Sequence, residues 1–320
     1  MEKNSLIPVL RVSALILIIL LAISCGKKQG GSDASNNLQS ESAEYSDAVN
    51  GSDADSLKPQ YYEGGASSSA SAATADSTIL KGFKYSWTDS KEIPPIIIIV
   101  DDFGYADKDL LQGYADLPRE VAFAILPDLP ATKKAAQIAQ RTGHDVLIHA
   151  PMEAKQSKLK PGERYIKTGQ DAGTIASLID AFHEQMPNAI ALNNHMGSTA
   201  TSDKTVMKAV LEHLARRGLF FVDSVTSGET VGYNMANTLG QRAVRRNLFL
   251  DVPDNSDATL AAKISDLGRY KGRVEPVVVI THCHNQAKLD ALNKFIAQIK
   301  AMGLRLTSLS AYYGGGVALN

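Results

Sequence analysis

Asp101, Asp102, His149, His195, Asp223, Asp251 and His282 each lie just past the end of a short apolar run, so groups able to hold a metal or move a proton recur at one kind of place along the chain. Imidazole and carboxylate ligands around an open position are how hydrolytic metals are held, which makes His149, His195 and a member of the acid pair a candidate metal site. Two adjacent carboxylates can divide labour, one binding the metal and one taking a proton from water. By itself, though, such a pair serves equally well to cap a helix or fill a turn. In His282-Cys283-His284, period-two alternation puts both imidazoles on one face and the thiol on the other. A metal site using Cys283 would lack the paired C-x-x-C of structural zinc, so His282 is better used as a general acid, with Asp223 or Asp251 orienting its ring and raising its pKa. His144 reads as a satisfied core histidine, and His183 and His213 as surface or packing residues on helices.

The elements that must position these groups alternate from residue 96 onward. The run Ile96-Ile97-Ile98-Ile99-Val100 has no polar break, as expected of a strand covered on both faces. Alternation at its end would point one acid of the pair into the site and turn its neighbour aside. Further strands are predicted at 121–126, 145–149, 189–192, 219–222, 246–250 and 277–280, with helices at 108–115, 131–141, 171–182, 204–217, 257–269 and 287–302. Residues 155–170 read as a long loop, and 304–309 as a final strand or closing segment. Strands alternating with helices give an α/β fold with a parallel sheet, and the reactive residues at strand ends favour a parallel (β/α) barrel, distorted or incomplete, with about seven strands. An open doubly wound sheet is the alternative.

Of 320 residues, 44% are hydrophobic and the formal net charge is -1, enough for one substantial core and without the basic excess of a nucleic-acid binder. Lys3 and Arg11 precede an apolar stretch at 12–23 that is short for a membrane span, and Ser24-Cys25 follows. Residues 1–25 therefore read as a secretion signal. Leu21-Ala22-Ile23-Ser24-Cys25 resembles a bacterial lipobox, whose Cys becomes the lipidated first residue of an extracytoplasmic, membrane-anchored lipoprotein; an ordinary cleaved signal or short anchor is the plainer reading. Residues 26–92 are rich in Ser, Ala, Gly and Asp and read as a disordered tether, leaving 93–320 as the folded domain. The only cysteines are Cys25 and Cys283, so lipidation of the first leaves no intramolecular disulfide.

Ile99-Val100-Asp101-Asp102-Phe103-Gly104, the segment Gly143-His144-Asp145 with His149 and Pro151-Met152-Glu153, Asn193-Asn194-His195-Met196-Gly197-Ser198, Phe221-Val222-Asp223-Ser224 and Ile280-Thr281-His282-Cys283-His284 occur in this order. Together they resemble the divergent polysaccharide deacetylase family from about residue 94 to the end. The resemblance implies a distorted β/α barrel, with Asp101 as base, Asp102 and His149 as ligands of a divalent metal, most simply Zn2+, and His282 as general acid. The better-known members carry a second His four residues after the first. That position is Glu153 here, so His195 is the candidate for the missing ligand, and no Arg-x-Pro-Tyr segment is evident. Asn193, Asn194 and Ser198 are candidates for hydrogen bonds to sugar hydroxyls, and Glu153, Asp223, Asp251 and His284 for supporting roles. The expected activity is metal-dependent deacetylation of a cell-envelope polysaccharide. The competing expectation is a non-catalytic glycan-binding or envelope-assembly lipoprotein on the same fold.

Overall fold

The computed structural model describes Leu80, Trp87 and residues 89–314 apart from 106–107 and 156–159. Cys25, the expected signal and the expected tether up to residue 79 lie outside the described residues. Leu80 and Trp87 are buried, and the Trp87 indole donates to the carbonyl of Ile264 at 3.1 Å.

Eight strands form one sheet: β1 (Ile96–Phe103), β2 (Ala122–Ile125), β3 (Val146–Met152), β4 (Ala189–Met196), β5 (Phe220–Asp223), β6 (Ala243–Arg245), β7 (Leu248–Phe249) and β8 (Val277–His282). Their spatial order is β6-β5-β4-β3-β2-β1-β8-β7, and every pairing is parallel. Between them run α1 (Lys108–Ala115), α2 (Thr132–Thr142), α3 (Ala172–His183), α4 (Lys204–Arg217), α5 (Gly232–Thr238), α6 (Asp257–Asp266) and α7 (Gln286–Ala301), with α8 (Leu309–Gly314) last.

β1 shows why the sheet curls. Ile96, Ile98 and Val100 pack in the outer cluster with helix residues such as Leu111, Ala139, Leu292 and Phe295, while Ile97 and Ile99 face a separate inner cluster with Leu147, Val222, Val278 and Ile280. The inner positions of β2 and β4 are Ala122, Ala124 and Ala191, small enough to let the concave face close on itself. Leu309 and Tyr313 of α8 fill the same interior from the amino-terminal side of the strands, where Ser310 N donates to Asp145 Oδ2 at 2.7 Å. The segment at 304–309 is a closing piece with one bridge, Leu306 to Ile96. The curled sheet with its own interior sets aside the open doubly wound alternative.

The predicted strand at 246–250 narrows to β7 at 248–249, and β6 at 243–245 is an eighth strand beyond the seven expected. β6 pairs with β5 at one end of the sheet, β7 pairs with β8 at the other, and only Arg246 and Asn247 lie between them. Arg246 N donates to Asp223 O on one side and Asn247 N to Val278 O on the other, each at 2.8 Å. Three Cα steps of about 3.8 Å bring the two edges within about 11 Å, so the chain itself spans the seam of the barrel. Arg246 also donates from Nε to Ser224 O and from its guanidinium to Val225 O, both at 2.7 Å, with the guanidinium 3.7 Å from the Phe249 ring centroid.

Charged donors in such bonds contribute on the order of 1.5–3 kcal/mol each. Arg246→Ala is expected to lower unfolding stability by about 2–3 kcal/mol in urea with an unchanged m value; a loss under about 0.5 kcal/mol would show that the seam holds without its guanidinium clamp.

Candidate metal centre

Ile97 and Ile99 face inward, so Asp101 continues onto the inner face by simple alternation. Alternation would send Asp102 outward. Asp102 instead takes a φ of 71°, the β1–β2 register slips between Val100 and Phe103, and the second carboxylate swings back beside the first. Both acids therefore serve one site, contrary to the expectation of one turned aside. A non-glycine residue at such a φ costs on the order of 1–3 kcal/mol, which the surrounding contacts must outweigh.

His149 Nε2 lies 3.1 Å and His195 Nδ1 3.2 Å from Asp102 Oδ1, and the two ring nitrogens are 3.1 Å apart. The ligand atoms of Asp102, His149 and His195 all lie within 4.8 Å of one another, and all three residues are buried. Asp102 Oδ1 has no aligned hydrogen-bond partner, so a buried anionic oxygen and two imidazole nitrogens converge on one point. This donor set matches a divalent cation with open positions. His284 Nε2 sits 2.5 Å from the other oxygen, Oδ2. Burial works against the Asp102 charge, but His149, His195 and His284 outweigh it and hold the carboxyl well below its usual range. Burial pushes Asp101 the other way, upward, against the opposing pull of His149 and His282.

Asn193 and Asn194 do not face a ligand. Both are fully buried, with every polar atom engaged inside the protein. Asn193 Nδ2 donates to Asp101 Oδ1 at 2.9 Å and to Ser224 Oγ at 3.2 Å, and its Oδ1 meets His149 Nδ1 at 2.9 Å. Asn194 donates to Met196 O and Thr226 Oγ1 and accepts from Ser224 N. The expected bonds to sugar hydroxyls are thus corrected to internal ones. Ser198 Oγ accepts from Lys155 N, tying the loop after β3 to the one after β4. Glu153 Oε2 accepts from the amide and hydroxyl of Thr168 and so braces that loop. After His195 the chain turns sharply through Met196 (φ 52°) and Gly197 (φ 95°), where a Cβ would lie 3.0 Å from Met152 Cβ.

His282 Nδ1 is 2.9 Å from Asp251 Oδ2, while Asp223 is spent on Val225 N, Thr230 and Tyr233 N. Of the two acids proposed to orient His282, the structure selects Asp251. Lys288 Nζ joins the same Oδ2 at 2.5 Å, a partner that sequence pattern did not single out. Burial opposes the Asp251 charge, yet His282 and Lys288 hold the carboxyl well below its normal range. Burial alone would lower the His282 pKa; the charge and hydrogen bond of Asp251, with the charge of Asp102, overcome it and raise it to about 9. The His284 ring lies beside that of His282, centroids 5.2 Å apart, and reaches to Asp102. His144 is the expected core histidine, its ring nitrogens meeting the carbonyls of Val121 and Ala115. His213 pairs with Asp180 between α4 and α3.

The family model for divergent polysaccharide deacetylases matches residues 98–313. An uncharacterized Escherichia coli protein, YibQ, is 34% identical over 192 residues, 59% of this chain and 58% of that protein. An uncharacterized Haemophilus influenzae protein is 35% identical over 157 residues, 49% of this chain and 55% of that protein. The matched part thus spans little more than half the length of either relative. The crystal structure of an uncharacterized protein from Agrobacterium tumefaciens shares the fold, with a TM-score of 0.61 at 21% identity over 73% of this chain and 94% of that one.

Zinc titrated into the full chain is expected to bind one-to-one and to add about 2.7 kcal/mol of stability at a hundredfold excess over Kd. Combined His149→Ala and His195→Ala should abolish both effects by calorimetry, and unchanged binding in that variant would remove the metal assignment.

Proposed function

The chain belongs to the divergent polysaccharide deacetylase family, and on that premise we propose that it is a metal-dependent hydrolase removing N- or O-acetyl groups from a cell-envelope polysaccharide. The observation that carries this reading is the pairing of Asp101 with His282 as direct neighbours on β1 and β8, with the Asp102–His149–His195 cradle beside them. Adjacent strands are about 4.8 Å apart, so a base and an acid stand side by side where they can serve one reacting centre. A divalent cation, most simply Zn2+, held by that cradle would supply Lewis-acid polarisation of the acetyl carbonyl and lower the pKa of water.

The protein's own groups do the proton work. Asp101, with its carboxyl pushed up by burial, accepts the proton of the attacking water. His282 gives a proton to the departing amine or hydroxyl. Its Nδ1 is committed to Asp251, so delivery falls to Nε2. Lys288 keeps Asp251 anionic, and Asp251 keeps the imidazolium protonated at neutral pH.

Acetate release from acetylated glycans tests the reading. Asp101→Asn and His282→Ala are each expected to cost about 100- to 10,000-fold in kcat. Because the acid must carry its proton, kcat/KM should fall above about pH 9 in the wild type, and Asp251→Asn should move that alkaline limb to lower pH. A metal-loaded chain that releases acetate from no glycan would count against this reading and favour the non-catalytic glycan-binding one.

The amino-terminal pattern supports attachment outside the cytoplasm through a lipid on Cys25. Cys25→Ala should move the protein from the membrane to the soluble fraction, and retention there would point to another anchor.

A further inference from the structure

We propose that Asn193 is the positioning residue that couples the two halves of the site, one amide fixing both the direction of the Asp101 base and the tautomer of the His149 ligand. The metal-hydrolase reading above gives this coupling its purpose; the geometry stands on hydrogen bonds alone.

Asn193 is fully buried on β4, between β3, which carries His149, and β5, which leads into Ser224. Its amide has two donors and an acceptor in fixed positions. The NH2 end faces Asp101 Oδ1 at 2.9 Å, the direction that suits Asp101 acting as a base, whose ionised carboxylate can only accept. The second N–H of that nitrogen is taken by Ser224 Oγ at 3.2 Å. The amide oxygen is then the end left for His149, 2.9 Å from Nδ1, and an oxygen there requires Nδ1 to carry the ring proton. His149 Nε2, 3.1 Å from Asp102 Oδ1, is then the nitrogen whose lone pair would bind the metal. Turning the amide over would set its oxygen against a carboxylate and its N–H groups against an N–H. The Ser224 hydroxyl can donate or accept and so fits either end of the amide, which leaves the Asp101 carboxylate as the group that sets its direction.

Ring orientation by an outer hydrogen bond commonly governs metal affinity 10- to 100-fold, and a base out of line loses turnover. Two substitutions separate these effects. In Asn193→Asp the carboxylate still accepts from His149 Nδ1 but donates nothing to Asp101; in Asn193→Ala both bonds are lost. Zinc titration of the full chain should show Asn193→Asp within about threefold of wild type and Asn193→Ala weaker by about 10- to 100-fold. Turnover should fall about 100-fold in both. Nitrogen-15 NMR of the zinc-free chain, at a pH that keeps the ring neutral, should show His149 protonated on Nδ1 in wild type and no longer held so in Asn193→Ala.

Parallel loss of zinc in both variants, wild-type affinity in Asn193→Ala, wild-type turnover in Asn193→Asp, or an Nε2-protonated ring in the wild type would each overturn the coupling. If Asn193→Asp does not fold, Asn193→Ala and the NMR readout still decide. A wild-type chain that shows the Nδ1 tautomer but binds no zinc would sink the metal reading and leave the role of Asn193 in place.

Discussion

Two adjacent carboxylates, both nearly sealed from water, are the constraint that the rest of this structure answers to. Removing one such ion from water costs several kcal/mol even after relaxation, and an uncompensated pair at the end of an isoleucine strand would not stay folded. The compensation comes from elsewhere in the chain: His149 from β3, Asn193 and His195 from β4, and His284 just beyond β8. None of these is local to β1. The acids are therefore tolerable only when β3, β4 and β8 are already arranged around them, which ties the chemistry of the mouth to completion of the sheet.

Backbone strain follows the same geography. Asp102, Met196 and Val225 all adopt positive φ at or just past carboxyl ends of strands, and for a β-branched residue such as Val225 (φ 50°) this is a true outlier. Val225 is kept there from both sides, its N–H bonded to Asp223 and its carbonyl to Arg246. The opposite end of the sheet carries α8, whose Tyr313 stacks on Phe220 at 3.7 Å. Strained backbone gathers where a ligand would bind, and unstrained packing where none would.

Much of this was readable from residue types. The apolar runs marked most strands, and the acids and histidines behind them marked the mouth, because parallel strands place their carboxyl ends together. What escaped had physical reasons. Asp102 reaches the site only through a left-handed turn that an alternation rule cannot express. Asn193 and Asn194 looked like ligands for sugar because polar residues at a strand end are usually wet; here burial makes them internal struts. Arg246 and Asn247 open the stretch that reads as one strand but are the link before β7, and the three residues of β6 just ahead of them are too short a run to stand out as a strand. Lys288 lies one turn into a helix, where an ammonium ordinarily meets solvent, and only the placement of α7 brings it to Asp251.

The seam has a further meaning for how the molecule behaves among its own copies. A curled sheet that stops short of a full hydrogen-bonded ring keeps two edge strands, and exposed edges are templates for pairing with another chain. Here β6 and β7 offer only three and two residues, and the two-residue link joins one edge to the other. An incoming strand would find too few free amides to register against, with covalent backbone already crossing the gap. The fold gains the edge protection of a closed barrel without completing its last ladder.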